Sequence, residues 1–305
     1  MIIVLLAQKP EISYQTAVQI KVKEIRTVGN MTGQILTSLE DAILTITIDN
    51  PDARNALSQP AGVDLIAGLR DAAADPGVRV VVITGAGGAF CAGGDVRSFG
   101  SVDHRDKVAA KWSDDPVWSG MEQRTIRIKG NSETTTLLHD MGKPTIAMVR
   151  GAAAGAGMAM AMACDFRIAS PSAVFTTAFA KIGTSGDSGL AFYLTRLVGP
   201  TKARELLFFS EKVTGEAASL LGLVSKLVAE EELLAETMAF ARRLAEGPPI
   251  AYRYIKQNLL LAESIHWDQY LEVESRNMVR CFQTEDSREA IKAFSEKRPP
   301  SFMGR

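Results

Sequence analysis

Val80-Val-Val-Ile-Thr-Gly-Ala-Gly-Gly-Ala-Phe-Cys-Ala-Gly-Gly-Asp95 joins a run of β-branched residues directly to a glycine-rich turn. The same design returns at Thr145-Ile-Ala-Met-Val-Arg-Gly-Ala-Ala-Ala-Gly-Ala-Gly-Met158. Val78 to Ile83, broken only by Arg79, and Thr145 to Val149 are apolar runs without alternation, the pattern of strands buried on both faces. Glycine and alanine in the turns let another backbone or a ligand approach the main chain closely. A helix that starts in such a turn presents unpaired N–H groups and the positive end of its dipole. Two of these turns, facing each other, would aim two N–H donors at one oxygen, which is the geometry that stabilises an enolate or a tetrahedral oxyanion. One glycine-rich turn alone is more simply read as tight packing. Gly85-Ala-Gly-Gly-Ala-Phe90 does not match the dinucleotide fingerprint G-x-G-x-x-G, and no Walker motif is present.

Working outward, Leu44, Ile46 and Ile48 alternate with Thr45 and Thr47 as in a half-buried strand. Asn50-Pro51-Asp52 turns the chain, and Ser58 can cap a helix that starts at Pro60. Leu65, Ile66, Leu69, Ala72 and Ala73 give that helix one apolar face, and Asp75-Pro76-Gly77 ends it. A helix runs to Met141, Lys143-Pro144 breaks it, Gly151 opens another, and Phe166 to Ala169 is a short strand. After Leu190 the pattern is helical almost throughout, with helices near Ser264 to Phe282 and Glu285 to Glu296. Alternating β and α units followed by a helical tail predict an α/β core with an α-helical C-terminal subdomain. We divide the chain into an extension at 1–33 outside the core, a core at 34–230 and a helical subdomain at 231–305; Met31 is a candidate natural start. Residues 98 to 130 are polar, with two tryptophans and no clear period, and read as an irregular stretch over a site.

The 305 residues carry a net charge of -1 and are 46% hydrophobic, enough for a sizeable core. There is no basic stripe of the kind nucleic acid or an anionic membrane would need. Cys91, Cys164 and Cys281 fit neither a disulfide framework nor a zinc site, and read as reduced thiols of a cytoplasmic protein. His104, His139 and His266 form no metal pattern. The apolar start, Met1 to Ala7, is too short to span a bilayer and lacks a signal peptide's basic leader.

Several of these motifs together resemble the crotonase family of enoyl-CoA hydratases and isomerases. Ala89-Phe-Cys-Ala-Gly-Gly-Asp95 is similar to the family's first oxyanion turn. Lys143-Pro-Thr-Ile-Ala147, leading into Gly151-Ala-Ala-Ala-Gly-Ala-Gly157 and Ala163-Cys-Asp165, is similar to its second. Asn55-Ala-Leu57 resembles its early CoA-binding turn, and Leu197-Val-Gly199, Ala203-Arg-Glu-Leu206 and Phe294-Ser-Glu-Lys-Arg-Pro299 follow in the family's order. The resemblance implies a ClpP/crotonase-like ββα spiral with a C-terminal trimerisation subdomain, assembly into trimers or hexamers, and an acyl-CoA thioester as substrate, with no separate cofactor. It implies backbone oxyanion donors at Ala92 and Ala156, the latter in place of the usual glycine. Arg54, Ala56, Gly93, Gly94, Asp95, Gly155 and Phe179 would line the substrate and CoA site.

The family's hydratases use two glutamates, and by spacing these fall on Ala159 and Phe179, neither of which transfers a proton. Gly183-Thr-Ser-Gly-Asp-Ser-Gly189 offers another group. From the residues alone, an Asp in a glycine loop is first a turn or cap residue. Asp187 also matches the position where some isomerases and ring-modifying members of the family carry a catalytic carboxylate, closest in role to the epoxyphenylacetyl-CoA isomerases. One carboxylate suits a 1,3-proton shift; an atypical hydratase and a non-catalytic acyl-CoA-binding protein are the alternatives. Thr177, Thr184, Ser185 and Ser188 are hydroxyls that satisfy the loop backbone, hydrogen-bond the substrate or orient Asp187.

Overall fold

A computed structural model describes residues 33–94, 117 and 120–305. Asp95, Met31 and nearly all of the extension lie outside the described residues, as does much of the 98–130 stretch. The chain begins with an antiparallel pair, β1 (Gln34–Glu40) and β2 (Ile43–Asp49), in register from Gln34 opposite Asp49 to Glu40 opposite Ile43. Helix α1 (Gln59–Ala74) then crosses to β3 (Val80–Gly85), which pairs parallel to β2. Ser58 caps α1 as its sequence predicts, its hydroxyl accepting from the Ala61 N–H at 3.4 Å. Helices α2 (Met121–Asn131) and α3 (Glu133–Asp140) lead to β4 (Thr145–Val149), so the single helix read up to Met141 is in fact two, meeting at Ser132.

Among the described residues the main sheet has six strands in the order β1-β2-β3-β4-β6-β9, with β6 at Phe166–Ala169 and β9 at Lys226–Leu227. Beyond β2 every pairing is parallel. All residues of β3 and β4 are buried, as their unbroken apolar runs require. A second sheet is built from very short pieces: β5 (Ala152–Ala154), β7 (Val174–Thr176) and β8 (Val213–Thr214). Gly151 therefore opens a strand, not a helix; α4 (Ala156–Ala163) begins five residues later. Every residue of α4 from Gly157 to Ala163 is buried, as an all-round apolar helix must be.

Helix α5 (Leu190–Phe209) is kinked at Gly199-Pro200, where proline removes a helical hydrogen bond. It is followed by α6 (Gly215–Leu220), α7 (Leu233–Ala245), α8 (Pro249–Ala262), α9 (Trp267–Phe282) and α10 (Glu285–Glu296). One core, with Leu65, Ile83, Phe90, Met158, Phe175 and Leu194, packs α1, α4 and α5 around one side of the sheets. A smaller core lies on the other face of the main sheet, where Leu233, Ala241 and Ala245 of α7 cover Ile43, Val80, Val82, Ile146 and Ile168. Lys256 of α8 reaches into the core and donates to Asp165 at 2.8 Å and to the carbonyl of Leu138 at 3.1 Å. No helix among the described residues is long and apolar enough to cross a membrane.

Candidate functional site

The two glycine-rich turns follow β3 and β4, which are neighbours in the sheet, and they are laced together along their length. Phe90 and Cys91 donate their N–H groups to the Ala152 carbonyl at 3.1 and 2.9 Å, and Ala154 N–H donates to the Cys91 carbonyl at 2.9 Å. Glycine is required where they cross. A methyl on Gly157 would stand 2.1 Å from the Cys91 carbonyl oxygen. A methyl on Gly93, whose φ is +94°, would stand 2.8 Å from the Ala154 oxygen and 3.5 Å from the Ala156 nitrogen. The Gly93 turn and the start of α4 thus converge to contact distance.

The fate of each N–H on the first turn identifies the available donor. Ala92 N–H donates to the Arg54 carbonyl at 3.0 Å. Gly93 N–H donates to the Cys91 sulfur at 3.4 Å. Gly94 N–H makes no hydrogen bond among the described residues, and Gly94 is partly exposed. The expectation that Ala92 supplies a free oxyanion donor is therefore corrected. Its peptide faces the neighbouring loop, and the open N–H lies two residues on, at Gly94. On the second turn, Ala156 is the first residue of α4, is partly exposed, and has no N–H acceptor among the described residues. Gly155, left-handed at φ 53°, turns the chain into that helix and anchors its own N–H on the Thr176 carbonyl at 3.0 Å.

Phe179 connects this turn to the Asp187 loop. Its Cζ would lie 3.6 Å from a methyl on Gly155, and its Cδ2 3.2 Å from one on Gly186. Asp187 is partly exposed, and its Oδ1 accepts from the buried Ser188 hydroxyl at 3.0 Å. The loop bends through left-handed residues at Gly183, Gly186, Ser188 and Gly189 before α5 begins. Ser188 therefore orients the carboxylate. Thr184 satisfies the Phe179 carbonyl at 3.2 Å, and Thr177 is buried against the Leu206 carbonyl and Ser210. Ala159 is wholly buried in α4.

Arg54 and Ala56 sit on the loop after β2, with the Arg54 side chain exposed and the Ala56 carbonyl held by the Asn50 side chain at 3.0 Å. Between them Asn55 is completely buried, a role the sequence did not signal. Burial pushes the thiols of Cys91 and Cys164 up to about 12. Among the described residues no three His, Cys, Asp or Glu side chains cluster as metal ligands. Gly88 and Gly151 also line a separate surface cleft of about 740 Å³ with Ser172 and Glu230; none of Gly94, Ala156, Phe179 or Asp187 borders it.

Comparison with known proteins agrees with this architecture. A family model described as enoyl-CoA hydratase/isomerase matches residues 38–305. The crotonyl-CoA hydratase of Syntrophomonas wolfei is 31% identical over 89% of this chain and 98% of its own length. The 1,2-epoxyphenylacetyl-CoA isomerase of Escherichia coli is 30% identical over 89% of this chain and 98% of its own. The crystal structure of an enoyl-CoA hydratase from Polaromonas sp. JS666 superposes with a TM-score of 0.77 at 33% identity, covering 88% of this chain and 99% of that one.

Proposed function

The chain belongs to the enoyl-CoA hydratase/isomerase family, and on that premise we propose that it catalyses a 1,3-proton shift in an enoyl-CoA thioester, with Asp187 as the single acid–base group. The thioester carbonyl accepts from the Gly94 and Ala156 N–H groups, each donor contributing about 2.7–4 kcal/mol to the enolate-like transition state. That withdrawal of charge acidifies the adjacent C–H. Asp187 takes the proton from one carbon and returns it two carbons away, so one carboxylate serves as base and then as acid. Phe179 forms the wall between the carboxylate and the second turn, and Arg54 and Ala56 lie toward the nucleotide end of CoA. Coenzyme A enters as part of the substrate, in the cytoplasm, and no further cofactor takes part.

The observation that carries this reading is the link from Asp187 through Gly186 and Phe179 to Gly155, combined with Ala159 and Phe179 at the two positions where the hydratases of the family place glutamates. Water addition needs one group to activate water and another to protonate carbon. The test is an assay of the protein with a 3-enoyl-CoA and with crotonyl-CoA. Double-bond migration in the first without hydration of the second supports the proposal. Hydration of crotonyl-CoA as the main reaction, or tight binding with no turnover of either, overturns it.

The same reading has the chain assemble as a trimer, with paired trimers giving a hexamer. Large apolar side chains left open on the last helices support it: Leu259 is 64% exposed, Trp267 67%, Phe282 56% and Phe294 88%. Sedimentation as a monomer would contradict the assembly.

A further inference from the structure

We propose that Asn55 is a positioning residue that sets the first oxyanion donor, acting through the loop it anchors without touching substrate; this rests on the oxyanion reading above. Asn55 is 0% exposed, so no ligand reaches it. Its side-chain amide is fully engaged, and with three separate points of the backbone. Nδ2 donates to the carbonyls of Ala86 and Ala89 at 2.8 and 2.7 Å, and Oδ1 accepts from Asn50 N–H at 2.9 Å. Both donors face carbonyls and the acceptor faces an N–H, so only one orientation of the amide satisfies all of them. The space it fills is left by Gly85, where a methyl would stand 2.5 Å from Nδ2.

Arg54 and Asn55 are consecutive non-glycine residues in the left-handed region, at φ 51° and 58°. Asparagine tolerates that conformation, but for Arg54 it is unfavourable and is held by surrounding contacts. The Asn55 side chain supplies those contacts. The backbone of this pair and its neighbour then grips the oxyanion turn: the Arg54 carbonyl accepts from Ala92 N–H at 3.0 Å, and Leu57 N–H donates to the Gly93 carbonyl at 2.8 Å. A parallel bridge also joins Leu57 to Gly94. Leu57 thus holds the Gly93–Gly94 peptide by its carbonyl, and because that peptide is planar and trans its N–H, on Gly94, points the opposite way and is left open among the described residues. Without the Asn55 amide the Arg54–Asn55 peptide is free to leave the left-handed region, and the acceptor for Ala92 N–H moves with it.

The experiment is isotope-edited infrared spectroscopy of cinnamoyl-CoA bound to the protein and to Asn55→Gly, which keeps left-handed backbone accessible but loses the amide. Wild type is expected to lower the thioester C=O stretch from its solution value. Asn55→Gly is expected to return it most of the way and to lower kcat by about tenfold or more, with the Kd of cinnamoyl-CoA little changed. Asp286→Asn, which weakens the bonds that the Asp286 carboxylate accepts from the Met303 and Gly304 N–H groups at 2.6 and 2.9 Å, controls for general destabilisation and should leave the frequency unmoved. If Asn55→Gly does not fold, Asn55→Asp carries the test, since it keeps the volume and the bond from Asn50 but sets an oxygen against the Ala86 and Ala89 carbonyls. A full frequency shift retained in the folded variant overturns the proposal. No shift in wild type overturns the oxyanion reading and the proposal with it.

Discussion

The backbone N–H of Ala92 donates to the carbonyl of Arg54 at 3.0 Å, so the residue at the centre of the first glycine turn has its donor committed to the protein. In the proposed oxyanion hole the remaining donors are the N–H groups of Gly94 and Ala156, and each can be deleted by proline. Ala156 is the first residue of α4, a position where proline is tolerated because its missing N–H has no helical partner. Ala156→Pro should lower kcat by about 10²–10³ while CoA esters still bind. Gly94→Pro should do the same. Steady-state kinetics beside equilibrium binding of a CoA ester check both, and turnover at the wild-type rate in either variant would remove that N–H from the mechanism.

The crossing of the two turns predicts opposite outcomes for two Gly→Ala substitutions. At Gly157 the new methyl would meet the Cys91 carbonyl oxygen at 2.1 Å, and neither backbone can yield without opening the site. Gly157→Ala should cost about 1–3 kcal/mol or more of stability. Gly68, inside α1, has nothing within 4 Å of such a methyl. Gly68→Ala should gain about 0.5–1 kcal/mol from helix propensity. Denaturant titration of both variants reads the two signs.

His139 gives the fold an acid-sensitive contact. Its ring lies edge-on to Tyr193 and Phe192, with centroids 5.2 and 5.9 Å away. Burial there holds the imidazole below its ordinary value of 6.5, the nearby Asp140 only partly opposing this. The unfolded chain thus takes up the proton more readily than the folded one. The stability from the neutral ring is complete above 6.5 and is lost as pH falls through that value toward the lower folded one. His139→Gln should flatten the decline in Tm between about pH 7 and pH 5. An unchanged slope would assign that decline to other groups.

Four strands of the main sheet were legible from their apolar patterns: the runs at Leu44 to Ile48, Val78 to Ile83, Thr145 to Val149 and Phe166 to Ala169 fall on β2, β3, β4 and β6, whereas β1 and β9 went unread. The capping of α1 by Ser58 and the bounds of the last helix, Glu285–Glu296, were equally plain. The second sheet was not legible, because Ala152–Ala154 and Val213–Thr214 are too short to show a period and form strands only through partners distant in sequence. At the site, the glycine spacing announced two turns but not the directions of their peptides. Whether Ala92 or Gly94 keeps a free N–H depends on the Arg54 carbonyl, dozens of residues earlier. Asn55 was hidden for the same reason, since its bonds to Ala86 and Ala89 exist only once the loops are packed.

In the proposed reaction Asp187 is the one group that moves the proton, and Asp187→Asn tests this most directly. The substitution keeps the side chain's shape and its hydrogen bond from Ser188 but removes the base. Conversion of a 3-enoyl-CoA to its 2-enoyl isomer, measured beside the Kd of the same thioester, should fall to background in the variant while the Kd holds. Isomerisation by Asp187→Asn at the wild-type rate would contradict the account.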